Sequence, residues 1–145
     1  MDSVKKPFFN KVAVLGLGLI GSSLCLLMKQ KGLAGTIAGN ARSQVTLDTA
    51  LEIGFIDSAH SSPTDAVEDA DLIVLAAPVG ANKKIAEAIY PSLKAGAIIT
   101  DVGSVKVAVI RDVTPCLPKE VHFVPGHPVA GTEHSGPKSG FPELF

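Results

Sequence analysis

The chain has 145 residues, 46% of them hydrophobic, and a formal net charge of −1. That length supports one domain with a true core, and the near-neutral charge with scattered basic residues gives no electrostatic footprint for nucleic acid or an anionic membrane. Cys25 and Cys116 stand far apart among apolar neighbours without Cys-x-x-Cys spacing, which fits free thiols in a reducing, cytoplasmic compartment.

Lys5 and Lys6 precede an apolar stretch from Val12 to Met28 that superficially resembles a secretory signal. Gly16, Gly18, Gly21, Ser22 and Ser23 interrupt it, and no small-x-small cleavage site follows. Strand, turn and helix describe it better: Val12 to Leu15 is a short apolar run, and beyond the glycines Leu19, Ile20, Leu24, Leu27 and Met28 recur at helical spacing. Gly32 and Gly35 punctuate before a second strand at Thr36 to Ala38, closed by Gly39 and Asn40 as a loop. The spacing predicts a helix from Val45 to Ile53 ending at Gly54, then a faint strand from Ile56 to Ala59. Ser62-Pro63 has the pattern of an N-cap with proline at the first helical position, for a short helix running to Glu68 and Asp69.

Leu72 to Ala76 is apolar without alternation, as expected of a central strand covered on both faces. A helix from Ala81 to Leu93, a strand from Ala97 to Thr100, a helix from Val105 to Val113 and a strand from Val121 to Val124 complete the alternation. From Pro125 onward the density of Gly and Pro predicts a loop. Strands alternating with helices specify an α/β fold with a mostly parallel sheet and helices on both faces.

Gly16-Leu17-Gly18-Leu19-Ile20-Gly21 carries the dinucleotide fingerprint directly after a strand and opening a helix, which makes the fold a doubly wound, Rossmann-type one and residues 1–145 a dinucleotide-binding domain. Gly16 permits the tight turn, Gly18 lets the backbone approach a pyrophosphate, and Gly21 allows close contact between helix and strand. Leu19 and Ile20 contribute free amides at the positive end of the helix dipole. An acidic residue about twenty positions further on would bind the ribose hydroxyls; here Asn40 holds that place, followed by Arg42 and Ser43. A neutral residue beside a guanidinium and a hydroxyl suits a 2′-phosphate, so the reading leans to NADP. The alternative, that Asn40 only makes a turn and Arg42 is a surface charge, leaves NAD acceptable.

Ligands of an open parallel sheet gather at the carboxyl ends of its strands. The loops there contain Ala77 and Pro78 as further cofactor contacts, Asp101-Val102-Gly103-Ser104-Val105-Lys106, and Gly126-His127-Pro128-Val129-Ala130-Gly131-Thr132-Glu133. His127 offers a proton acceptor where a hydride-transfer enzyme needs one. Taken alone, each residue has an ordinary reading: an exposed loop histidine, a serine capping a helix, a surface glutamate. A metal site of His122, His127 and His134 lacks a compact ligand spacing, and none is expected.

Together the glycine turn at 16–24, the Asp-Val-Gly-Ser-Val-Lys run and the Gly-His-Pro-Val-Ala-Gly-Thr-Glu run resemble the prephenate/arogenate (cyclohexadienyl) dehydrogenase family. The resemblance implies NAD(P)-dependent oxidative decarboxylation of prephenate and/or arogenate in tyrosine biosynthesis. In that family the histidine matching His127 takes the proton of the ring hydroxyl, the serine matching Ser104 hydrogen-bonds the same region, and the glutamate matching Glu133 borders the substrate entrance. Lys106 also matches, and is read as a helix-start or surface charge. Family members continue into a helical domain that dimerises and supplies an arginine for the substrate carboxylate; this chain stops at Phe145, so that domain is expected to be absent and a homodimer to form only through it. The competing readings are another two-domain NADP reductase of the imine or β-hydroxyacid type, which shares the glycine turn and the Ala-Ala-Pro loop, and a non-catalytic nucleotide-sensing module, which has no use for Ser104 and His127 together.

Overall fold

The computed structural model describes residues 5–130, 132 and 134–145. Strands and helices alternate as β1 (Phe9–Leu15), α1 (Leu19–Lys31), β2 (Ala34–Asn40), α2 (Gln44–Ile53), β3 (Ser58–His60), α3 (Pro63–Val67), β4 (Leu72–Leu75), α4 (Asn82–Ile89), β5 (Ile98–Asp101), α5 (Lys106–Val113) and β6 (His122–Val124). All six strands are parallel and lie in the order β3-β2-β1-β4-β5-β6. This is the doubly wound order, in which the chain reverses direction across the sheet between β1 and β4 and opens a crevice at their carboxyl ends.

The strands are apolar throughout because both faces are covered. On β1, Val12 and Val14 pack with Cys25, Met28, Leu47, Ala50 and Phe55, while Ala13 and Leu15 pack with Val67, Ala86, Ile89, Val109 and Val113. Val74 on β4 joins the first core, and its neighbours Ile73 and Leu75 join the second. The alternation of side chains along a strand therefore distributes one apolar run between two helical layers. Truncating a wholly buried residue such as Ile73 to alanine would cost about 2–5 kcal/mol. Burial also pushes the Cys25 thiol up to about 12, so this cysteine serves as packing.

Several boundaries differ from the sequence expectation. β1 starts at Phe9 because backbone pairing with β2, Phe9 with Ala34 and Lys11 with Thr36, does not depend on apolar side chains. Asn40 is the last residue of β2 and pairs with His60, so it is not a loop residue. α4 ends at Ile89, followed by a tight 3-10 turn at Tyr90–Ser92; Pro91 lacks an amide proton and its ring opposes a continuing helix. Ser62 precedes α3 as expected but its side chain makes no capping hydrogen bond. The segment after Pro125 contains two 3-10 turns, Pro137–Ser139 and Pro142–Leu144, that pack on α1. Among the described residues, no helix is long and apolar enough to cross a membrane.

Candidate nucleotide and substrate site

The glycine turn occupies the crevice between β1 and β4. The Gly16 amide donates to the Asn40 carbonyl at 3.0 Å, and the Ala76 amide donates to the Leu15 carbonyl at 2.8 Å, which holds the two loops side by side. A Cβ on Gly16 would lie 2.5 Å from the Ala76 carbonyl carbon, and its φ of 109° independently favours glycine. A Cβ on Gly21 would lie 2.0 Å from the Gly16 carbonyl oxygen. Gly18 differs: nothing of the protein lies within 4 Å of its would-be Cβ. Two glycines are thus required by the fold, and the third leaves open space at the start of α1. No acidic residue stands in the first turn of that helix and no side chain caps it, so its positive end is free to meet an anion.

A cleft of about 1000 Å³ extends from this turn. It brings together Gly16, Gly18, Asn40, Arg42, Ser43, Ala77 and Pro78, all foreseen from the sequence. Leu19, Ile20 and Gly21 are not among its lining residues; they form the first turn of α1 behind it. Asn40 is nearly buried, and its Nδ2 donates to the His60 carbonyl at 2.9 Å, tying β2 to β3 beneath the cleft. Ser43 caps α2, its Oγ accepting the Thr46 amide at 3.4 Å. Ser61, Lys84 and Pro137 also line the cleft and were not singled out. They come from three distant segments, and no sequence spacing connects them to the glycine turn. Arg42 and Lys84 are both exposed, and the described lining contains no aspartate or glutamate, so the cleft is positive where an acidic ribose contact would otherwise stand.

Ser104 and His127 follow β5 and β6 on the same carboxyl edge, exposed and outside the lining of that cleft. Between their loops lies Asp101, the last residue of β5 and only 1% exposed. Its Oδ2 accepts the Gly103 amide at 2.9 Å and its Oδ1 accepts the Gly126 amide at 3.1 Å. Lys106 opens α5, as expected of a helix-start residue, but it is not a free surface charge: its Nζ pairs with Asp101 and donates to the Gly126 carbonyl at 2.5 Å. Sequence reasoning placed Asp101 at the start of the loop and gave it no role; the structure makes it the last residue of β5, and a carboxylate following an apolar strand was the available signal. Glu133 lies outside the described residues.

Residues 24–145 match the family described as prephenate dehydrogenase, nucleotide-binding domain. The chain belongs to that family. The match begins within α1, so the glycine turn is additional to it. Cyclohexadienyl dehydrogenase of Zymomonas mobilis is 42% identical over 137 residues, covering 94% of this chain and 46% of that protein. Among solved structures, prephenate dehydrogenase from A. aeolicus in complex with hydroxyphenyl propionate and NAD+ superposes with a TM-score of 0.85 at 31% identity, over 99% of this chain and 49% of the other. Synechocystis arogenate dehydrogenase superposes with a TM-score of 0.84 at 33% identity, over 93% and 46% of the two chains. The chain therefore spans about half the length of these relatives.

Proposed function

We infer that this chain is the dinucleotide-binding half of an NAD(P)-dependent dehydrogenase that oxidatively decarboxylates prephenate and/or arogenate. The observation that carries the reading is that Ser104 and His127 stand in the loops that follow β5 and β6, on the same carboxyl edge of the sheet as the glycine-turn crevice. The relatives, named for prephenate, arogenate and cyclohexadienyl substrates, support the same chemistry.

The residues fit the cofactor on two counts: the open space at Gly18 leaves room for a pyrophosphate against the α1 amides, and the cleft has the size of a small-molecule site. When bound, the nicotinamide supplies the hydride acceptor. His127 accepts the proton of the ring hydroxyl as the carbon bearing it loses hydride, and Ser104 orients that hydroxyl by a hydrogen bond. Loss of carbon dioxide then aromatises the ring, so the protein has mainly to position the substrate and manage one proton. The resemblance to the family also assigns Glu133, which lies outside the described residues, to the substrate entrance. NADP is favoured over NAD, because Asn40 stands where a ribose-binding carboxylate is usual and Arg42, Ser43 and Lys84 line the neighbouring wall. A homodimer would form through a further, helical domain.

The test is a steady-state assay of the full-length protein with prephenate and with arogenate, each with NADP+ and NAD+. Reduced cofactor and carbon dioxide should appear in equal amounts with at least one substrate. Absence of both products with every pair would overturn the reading.

A further inference from the structure

We propose that Asp101 and Lys106 form an internal strut that fixes the spacing between the Ser104 loop and the His127 loop, acting as positioning residues for both. The proposal rests on the functional reading above for its catalytic consequence, but the strut itself is a matter of geometry.

Ser104 and His127 each come one residue after a glycine, and the amides of both glycines, Gly103 and Gly126, are bound by the two oxygens of one carboxylate. Because Asp101 is the last residue of β5 and pairs with Leu75 of β4, it references both loops to the same point of the sheet. Lys106 completes the circuit: its ammonium neutralises Asp101 and also holds the Gly126 carbonyl, so the His127 loop is gripped on both its amide and its carbonyl side. A buried carboxylate is tolerated only when paired and hydrogen-bonded, and here each loop supplies one backbone amide while the ammonium comes from the first residue of α5.

The sequence around the carboxylate is shaped to this approach. A Cβ on Gly103 would lie 3.0 Å from Asp101 Oδ2 and 2.9 Å from the Val79 Cγ2 methyl. A Cβ on Gly126 would lie 2.9 Å from the Asp101 carbonyl oxygen and 3.2 Å from Thr100 Oγ1. Close packing therefore explains both glycines, Gly103 against Val79 and Asp101 and Gly126 against Thr100 and Asp101, with no need of unusual backbone angles. The ammonium of Lys106 is spent inside this network, which assigns it a role in geometry in place of a direct one with substrate.

The experiment uses the full-length protein and reads amide hydrogen exchange at residues 102–106 and 125–128 beside steady-state kinetics. In Lys106→Met, exchange should rise in both segments together, by about tenfold or more, and stay unchanged at residues 16–21. Turnover should fall by about 100-fold, as expected of a displaced reacting group, with dinucleotide affinity preserved. Lys106→Arg, which keeps the charge and the donors, should recover most of both losses. Should Lys106→Met fail to fold, the double variant Asp101→Asn/Lys106→Gln removes both charges at once, leaves no unpaired buried ion, and is read by the same two measurements. Faster exchange confined to 102–106 would overturn the strut, as would wild-type turnover with both segments released. If the wild-type protein oxidises neither prephenate nor arogenate, the functional reading fails, and the joint or separate response of the two segments still decides the strut.

Discussion

The amide of Phe141 donates to the hydroxyl of Ser23 at 3.0 Å, joining the segment after β6 to the buried face of the helix that opens the nucleotide cleft. One residue earlier, Gly140 packs so closely that a Cβ there would lie 2.1 Å from Ser22 Oγ and 2.9 Å from the Ser23 backbone nitrogen. Pro137, a few residues before, lines the cleft itself. Docking of this segment is thus part of the cleft wall. Ser23→Ala should cost about 0.5–1.5 kcal/mol, the net contribution of one hydrogen bond to a part-buried partner, and Gly140→Val should cost more because backbone must move. Urea unfolding of both variants checks this; midpoints equal to wild type would mean that the docked segment adds nothing to stability.

The three glycines of the turn separate stability from binding. A Cβ on Gly18 would meet no protein atom within 4 Å, so Gly18→Val should unfold near the wild-type temperature, yet its side chain takes the space of the pyrophosphate and dinucleotide binding should be lost. Gly21→Ala should instead lower the melting temperature, since its methyl group collides with the Gly16 carbonyl. Calorimetric titration beside thermal unfolding distinguishes the two. Full affinity in Gly18→Val would sink the placement of the phosphates at this turn.

Cofactor choice should depend on the positive wall of the cleft. Arg42→Ala and Lys84→Ala should each weaken NADP by about 1.5–3 kcal/mol, the range of a charge-assisted hydrogen bond, and affect NAD much less. Equal losses for both dinucleotides would remove the 2′-phosphate from that wall.

His127→Ala in the full-length protein should lower turnover by about 10²- to 10⁴-fold, as loss of a general base does, while dinucleotide affinity stays at the wild-type level. The histidine lies outside the nucleotide cleft, so the two readouts are independent. Turnover near wild type would place the proton acceptor elsewhere.

Acid should act on the fold through Asp71. The Lys94 ammonium beside it and the amides of Lys11 and Asn10 hold its carboxyl below the ordinary value of 3.8. A carboxyl depressed in the fold stabilises fully above its unfolded value, and that stabilisation is lost as pH falls through the lower, folded one. The melting temperature of wild type should therefore drop more steeply below about pH 4 than that of Asp71→Asn, which starts lower but has no proton to gain. Parallel curves for the two proteins between pH 5 and the acid limit would show that Asp71 does not contribute, on the expected carboxylate range.

Much of this protein was written in local sequence. The uninterrupted apolar residues of Leu72 to Leu75 announced a strand covered on both faces, and Gly54, at φ 91°, ended α2 where a helix needs a left-handed residue. Gly16, Gly18 and Gly21 were legible because strand, turn and helix are contiguous, and the proposed phosphate site lies within that single unit. Arg42 and Ser43 were legible by their distance from it along the chain. Tertiary structure alone decided the rest, because the deciding contacts join residues far apart in sequence. Lys84 and Pro137 reached the cleft only when α4 and the segment after β6 were packed in place. The Gly- and Pro-rich end looked like a loop because turn formers report local backbone and say nothing of the Ser22 and Ser23 surface that receives it. Lys106 looked like a surface charge because helix position alone sets no partner; the fold supplied one by burying Asp101 where the loops after β5 and β6 meet.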